Sequence, residues 1–151
     1  MSTVALSGSD SFNQDDHIFS DFADGNFFEI NFPNDIANVK VGKNGNALFS
    51  LNETGRLGEG ILRLIRGSGD DKYLNAKLNA QVQDFAATVL YSGTFTKRIG
   101  HGDGTFSLDT YIYAGGVFTK PVGAKSNAEG DTEQSVAIYN FKFAKVARAI
   151  T

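Results

Sequence analysis

The chain of 151 residues has no cysteine, no tryptophan, one methionine, two prolines and two histidines. Without cysteine there is no disulfide framework, no thiolate zinc site and no cysteine nucleophile. Without tryptophan, the most effective platform for stacking on a sugar ring is missing, which counts against a carbohydrate-binding face. Lysine and arginine number 14 against 17 acids, a net charge of -3 with a pI near 5.3. That balance argues against a general basic surface of the kind that grips nucleic acid by displacing counterions. No apolar run approaches the ~20 residues of a membrane-spanning helix. The opening "MSTVALSGSDSF" has neither a basic start nor a continuous apolar region, so no signal peptide is expected and the chain reads as a soluble protein made in a cytoplasm.

What is present points to strands. Seventeen glycines, thirteen phenylalanines and five tyrosines suit a chain of strands and turns, and the length suits one domain. Residues 1–25 are polar, with Asp10, Asp15, Asp16, Asp21 and Asp24 around a few aromatics, and read as an N-terminal polar arm with one short strand at most. Residues 26–151 read as a single β-sandwich domain. Within it, Asn26 to Phe32 alternates Phe28, Ile30 and Phe32 against Phe27, Glu29 and Asn31, as a strand with one buried face does. Ile36, Val39 and Val41, then Ala47, Phe49 and Leu51, flank "KNGN", in which Asn44-Gly45 predicts a type I′ hairpin turn. Ile61 to Ile65 is a further strand. Leu74, Leu78, Val82 and Phe85 lie on one face of a helix that Asp70 can cap. Strands follow over 86–96, 105–114 and 135–147, the first two joined by the turn "GHGDG"; Pro33 and Pro121 fit strand ends. One helix among strands, without βαβ alternation, predicts a mainly β fold: an antiparallel β-sandwich or barrel with one packed α-helix.

The stretch Ile61 to Asp71 raises a phosphate-loop reading, strand, Gly67-Ser68-Gly69, helix, and the chemistry rejects it. A Walker loop places Lys-Ser/Thr at the helix start, whereas here Asp70 and Asp71 occupy the place an anion would take. His17 beside Asp15 and Asp16, and His101 near Asp103, could share a mixed metal site only if the two regions met; solvated loop residues are the simpler reading. Asp21, Asp24 and Glu29 lack the ligand alternation of a calcium loop, and no serine occupies a nucleophile elbow. The expectation is a protein without catalytic residues, cofactor or metal.

The less ordinary feature is apolar residues on both faces of the later strands. Phe106 accompanies Tyr111 and Tyr113, and Ile138 accompanies Tyr139, Phe141 and Phe143. One helix is too small to cover the second face, so a second copy is expected to do so. The loop from Asn52 to Glu59 is longer than a hairpin needs, and Asn52, Glu53, Thr54, Arg56 and Glu59 are its candidate contacts to a neighbour.

The ordered features of residues 26–79 resemble the tail tube proteins of contractile-tailed bacteriophages. They are a strand, the Val-Gly-x-Asn-Gly hairpin at Val41 to Gly45, a second strand, the Gly-x-x-Gly loop at Gly55 to Gly58, a strand bearing "ILRL" and a capped helix. Such relatives often enter the helix through a Ser/Thr-Pro segment, where this chain has Gly67-Ser68-Gly69-Asp70. The resemblance implies a virion protein made in the host cytoplasm. Its copies would form hexameric rings that stack into a tube, with sheath, baseplate and tape-measure proteins as partners and DNA passing through without specific binding. A non-enzymatic β-sandwich binding module, for capsid decoration or carbohydrate, is the alternative. A DNA conduit also calls for a lumen without unpaired cations, which directs attention to Arg63 and Arg66, with Glu59 as an expected neutralising partner.

Overall fold

A computed structural model describes residues 3–15, 17–23, 27–124, 126 and 132–151, without the side chains of 7–10 and 132–133. Asp16, Asp24, the Asn26 strand start and most of the loop before the last strand therefore lie outside the described residues. The chain is mainly β, with 54% of the described residues in strands. In order these are β1 (Ala5–Gln14), β2 (His17–Phe19), β3 (Phe28–Asn31), β4 (Ala37–Val41), β5 (Ala47–Leu51) and β6 (Gly58–Ile65). Helix α1 (Gly69–Gln83), β7 (Tyr91–Gly100), β8 (Phe106–Phe118), β9 (Gly123–Ala124) and β10 (Val136–Ile150) follow.

All described pairings are antiparallel, in the order β2-β1-β7-β8-β10-β6-β3, with β9 on β10 and a separate ribbon β4-β5. The long sheet curls until the segment after β2 meets β6. Phe22 bridges Leu64, the Ile65 N–H donates to the Asp21 carbonyl at 2.9 Å, and the Ala23 N–H donates to the Arg63 carbonyl at 3.1 Å. Phe12, Phe19, Leu62, Leu64, Tyr113, Phe118, Tyr139, Phe141 and Phe143 fill the interior, with Leu74 and Leu78 entering from the helix.

The N-terminal stretch departs from the sequence reading. Instead of an arm with one short strand at most, it supplies β1 and β2, and it places Phe12 and Phe19 in the same core as the later strands. The signal is weak because, among the described side chains of β1, the buried ones are Phe12 and the polar Gln14; pairing with β7 decides it.

The core-facing parity switches along β8 and β10. Tyr139, Phe141 and Phe143 face in with Phe118 and Gly116, then Val146 faces in with Tyr113. The switch lies at Gly115, whose φ of 69° an L-residue adopts only with strain. The β4-β5 turn also differs from expectation. Asn44 does not take the positive φ of a type I′ turn; only Gly45 does, at 83°. The Gly45 N–H donates to the Gly42 carbonyl and the Gly42 N–H to the Asn46 carbonyl, a longer loop closed by a left-handed glycine.

Helix α1 buries Asp70, Leu74, Leu78 and Gln81, whereas Val82 and Phe85 of the predicted stripe are exposed. The stripe rotates because Gln81 carries the right polar groups for the end of β8. Its Nε2 donates to the Phe118 carbonyl at 2.9 Å and its Oε1 accepts from the Phe118 N–H at 3.0 Å, satisfying a buried peptide unit. Ser68, not Asp70, is the N-cap, its Oγ accepting from the Asp71 N–H.

This packing predicts a clear ordering of substitutions. Phe12→Ala should destabilise by about 3–5 kcal/mol, and Leu78→Ala by about 2–5 kcal/mol. Val82→Ala should fall within about 0.5 kcal/mol of the parent. Urea unfolding of the three variants gives the comparison; a Val82→Ala cost matching Leu78→Ala would refute the observed helix face.

Candidate functional site

The candidate loop forms a 3₁₀ turn, Glu53–Arg56, at the root of the β4-β5 ribbon. Asn52 caps it, its Oδ1 accepting from the Thr54 N–H at 3.3 Å and the Thr54 hydroxyl at 2.8 Å. The Asn34 amide donates to the Thr54 carbonyl, and the Asn52 N–H donates to the Ile36 carbonyl at 2.8 Å. Gly55 is buried so tightly that a Cβ there would stand 2.6 Å from the Ile36 Cα. The turn is thus fastened to the start of the ribbon. Arg56 and Glu53 are exposed and 3.5 Å apart. Glu59 is separate: it lies on β6 and pairs with Lys142 at 3.4 Å. The structure therefore gathers Asn52, Glu53, Thr54 and Arg56 and leaves Glu59 elsewhere.

Glu59 is also not the partner expected for Arg63. Arg63 faces outward from β6 beside Glu29, Ile61, Ile138 and Asn140, with its Nε buried and unpartnered among the described residues. Arg66 lies past the end of β6 and donates to the Ser126 hydroxyl and the Gln134 carbonyl.

The ribbon that the turn supports is the least buried part of the fold. Every residue of β4 and β5 is exposed. The register pairs Ala37 with Leu51, Val39 with Phe49 and Val41 with Ala47, so one face is wholly apolar. Val39, Val41, Phe49 and Leu51 are 59–76% exposed. The opposite face carries Asn38, Lys40, Leu48 and Ser50. The alternation is visible in sequence, but nothing local says what covers this face or that the ribbon leaves the barrel.

A second apolar surface lies on the outer side of β7, β8 and β10. Thr94, Ile112 and Ala147 form one row across it, and Thr96, Thr110 and Ala149 the next. Leu108 and Phe106 continue the face, and the Arg98 guanidinium lies 3.9 Å from the Phe106 ring centre. Phe106 and Ile112 are about half exposed, at 50% and 51%, so the two-faced character expected of β8 is real.

The histidines do not meet. His17 lies beside the helix start, while His101 lies at the far end of β7, where Gly100 pairs with Ala5. His101 Nε2 is 2.8 Å from the Ser107 hydroxyl, and the Asp103 carboxylate accepts from the Thr105 N–H and hydroxyl rather than from this imidazole. Among the described residues, no cluster of three or more His, Cys, Asp or Glu could hold a metal. At the helix start, Asp71 accepts from the Gly67 N–H and Ser68 from the Asp71 N–H, so internal acceptors fill the place a phosphate would take.

Among the described residues, Asp70 is the buried carboxylate. One oxygen accepts from the Ser20 and Asp21 N–H groups at 2.8 and 2.9 Å, the other lies 2.8 Å from His17 Nε2, and the imidazole stacks on Tyr73 at 4.0 Å. Burial pushes the carboxyl up, but the Asp21 and Ser20 amides and His17 outweigh it and hold the group below its ordinary 3.8. A lowered folded-state value means that the stabilisation is complete above the ordinary carboxylate range and is lost as pH falls through the lowered value. Asp70→Asn should therefore be less stable than the parent near neutral pH, with a smaller loss on acidification. Thermal melts of both proteins from pH 7 to pH 2 give the test, parallel curves being the contrary result.

For the loop, Arg56→Glu should leave the melting temperature within a few degrees, because the residue is exposed and surface pairs contribute little. It should weaken association between copies, raising the concentration for assembly by roughly tenfold. Light scattering of the variant decides this, and unchanged assembly would remove the loop from any interface.

Comparison of the sequence with protein-family models and with curated proteins returns no match.

Proposed function

We propose that this chain is a non-enzymatic structural protein whose copies form hexameric rings that stack into a tube, as in the tails of contractile bacteriophages, and that the tube conducts DNA. The observation that carries the reading is the β4-β5 ribbon. Its face of Ala37, Val39, Val41, Ala47, Phe49 and Leu51 is exposed at every position in the single chain. A two-stranded ribbon is marginal alone, and apolar side chains on one face of it gain their stabilisation from a partner layer. The exposed row on β8 adds to the same argument, since it gives each copy a second surface to cover. A net charge of -3 is compatible with a channel that does not retain DNA.

The purified protein should form rings or tubes of uniform width by negative-stain microscopy, with mass rising with concentration by light scattering. Val39→Asp and Phe49→Asp should keep the circular dichroism of the parent and abolish assembly, since both positions are exposed in the single chain. A strictly monomeric parent at high concentration would overturn the reading.

A further inference from the structure

We infer that the apolar face of the ribbon in one copy packs on the outer face of β7, β8 and β10 in a second copy. The inference rests on the self-assembly reading and adds the receiving surface. Three properties of that surface support it. The first is composition: Thr94, Thr96, Thr110, Ala147 and Ala149 accompany Leu108 and Ile112, and the charge among them, Arg98 opposite Leu108, lays its guanidinium over the Phe106 ring. Small and β-branched side chains on a pleated surface are what a second β-layer packs against, at about 10 Å between layers. An ordinary solvated sheet face carries polar and charged residues throughout, whereas here the charges, Arg98 and Lys145, stand toward its ends.

The second property is size. A ribbon of five-residue strands is ~17 Å long, and the receiving face from Phe106 to Ile112 on β8 extends ~23 Å at the rise of an antiparallel strand. The ribbon therefore fits along it. The third is charge at the border. Asp35 at the root of the ribbon and Lys145 beside the sheet face are both exposed, opposite in sign and without a side-chain partner among the described residues. The charged ribbon residues Lys40 and Lys43 lie on the other face and at the turn, so docking buries neither.

The contact joins two different surfaces, so every copy both gives a ribbon and receives one, and the association propagates from copy to copy. A single ribbon footprint is small beside the roughly 1,200–2,000 Å² of a stable pairwise interface. Its strength comes from repetition, with two such contacts per copy. The exposed residues Val82, Phe85, Val89 and Leu90 form the competing receiver, but they lie on a helix end and the irregular segment after it, not on a flat layer.

The absence of cysteine makes a direct test available. Phe49→Cys and Leu108→Cys are made separately, mixed and oxidised, with Val89→Cys as the competing partner and each single variant alone as a control. Assembly of each is followed by microscopy, and its fold by circular dichroism. The expected result is a covalent dimer from the Phe49→Cys and Leu108→Cys mixture at least about fivefold above any single variant. The double variant should give a ladder of covalent oligomers. Preferential linkage of Phe49→Cys to Val89→Cys, or of Phe49→Cys to itself, would overturn the inference, as would absence of linkage in assembled tubes. A second readout avoids any geometric failure of disulfides: Leu108→Asp should lower assembly at least tenfold with an unchanged fold, while Val82→Asp should not. Tubes that form normally with Leu108→Asp would refute the docking site and leave the tube reading intact. A covalent ladder without tubes would support the docking site and refute the tube.

Discussion

The fold depends on the burial of one ring, Phe12. It is fully buried and lies within 4.7–6.5 Å of Phe19, Phe22, Phe28, Phe95 and Tyr113, so it touches rings from β2, the segment after it, β3, β7 and β8. Several of these pairs are edge-on, the arrangement that aromatic quadrupoles favour. A sheet in the order β2-β1-β7-β8-β10-β6-β3 twists of itself, and contacts shared by its two ends hold it curled. The shared element is this cluster, which draws β1 and β3 together although they stand at opposite sides of the pairing order.

The helix closes the same arrangement through polar contacts. Asp70 fixes the chain after β2, Gln81 completes the end of β8, and the Tyr139 hydroxyl, from β10, donates to Asp71. Burial first, and then the neighbouring Asp71 carboxylate, push the Tyr139 phenol well above its ordinary range, so it remains a donor. These bonds explain why the helix buries Asp70 and Gln81 beside Leu74 and Leu78 and turns Val82 outward. Leu74 and Leu78 could be buried in several orientations, but only one lets Asp70 and Gln81 satisfy buried backbone groups.

What the core does not use is gathered in two places, the ribbon and the outer face of the long strands. Both consist of regular strands with largely apolar faces, Arg98 and Lys145 being charges on the second, and both remain exposed because helix α1 is spent on the interior. The proposed tube assembly and the proposed ribbon docking follow from this surplus. The fastened turn Glu53–Arg56 contributes by setting where the ribbon leaves the barrel, which makes it a support for the contact as much as a participant.

The sequence by itself determined the class of the fold. Alternation in β3, β6, β8 and β10, the Asn-Gly hairpin and the lone helical stretch were legible because strand and helix periods are local properties. It also determined that the glycines at 67 and 69 serve a helix start, because Asp70 and Asp71 leave no place for phosphate. Only the tertiary structure decided the rest. β1 forms because β7 offers it an edge, not because "SGSDSFNQ" is a strong strand former. Val82 and Phe85 lost the core to Gln81 because a buried peptide group needs a partner more than an apolar side chain needs cover. The inward parity of β8 and β10 changes at Gly115, where one positive φ reverses a pattern that otherwise reads continuously. The apolar face of the ribbon reads like any buried strand face in sequence, since alternation says that a side chain wants cover and not which molecule supplies it.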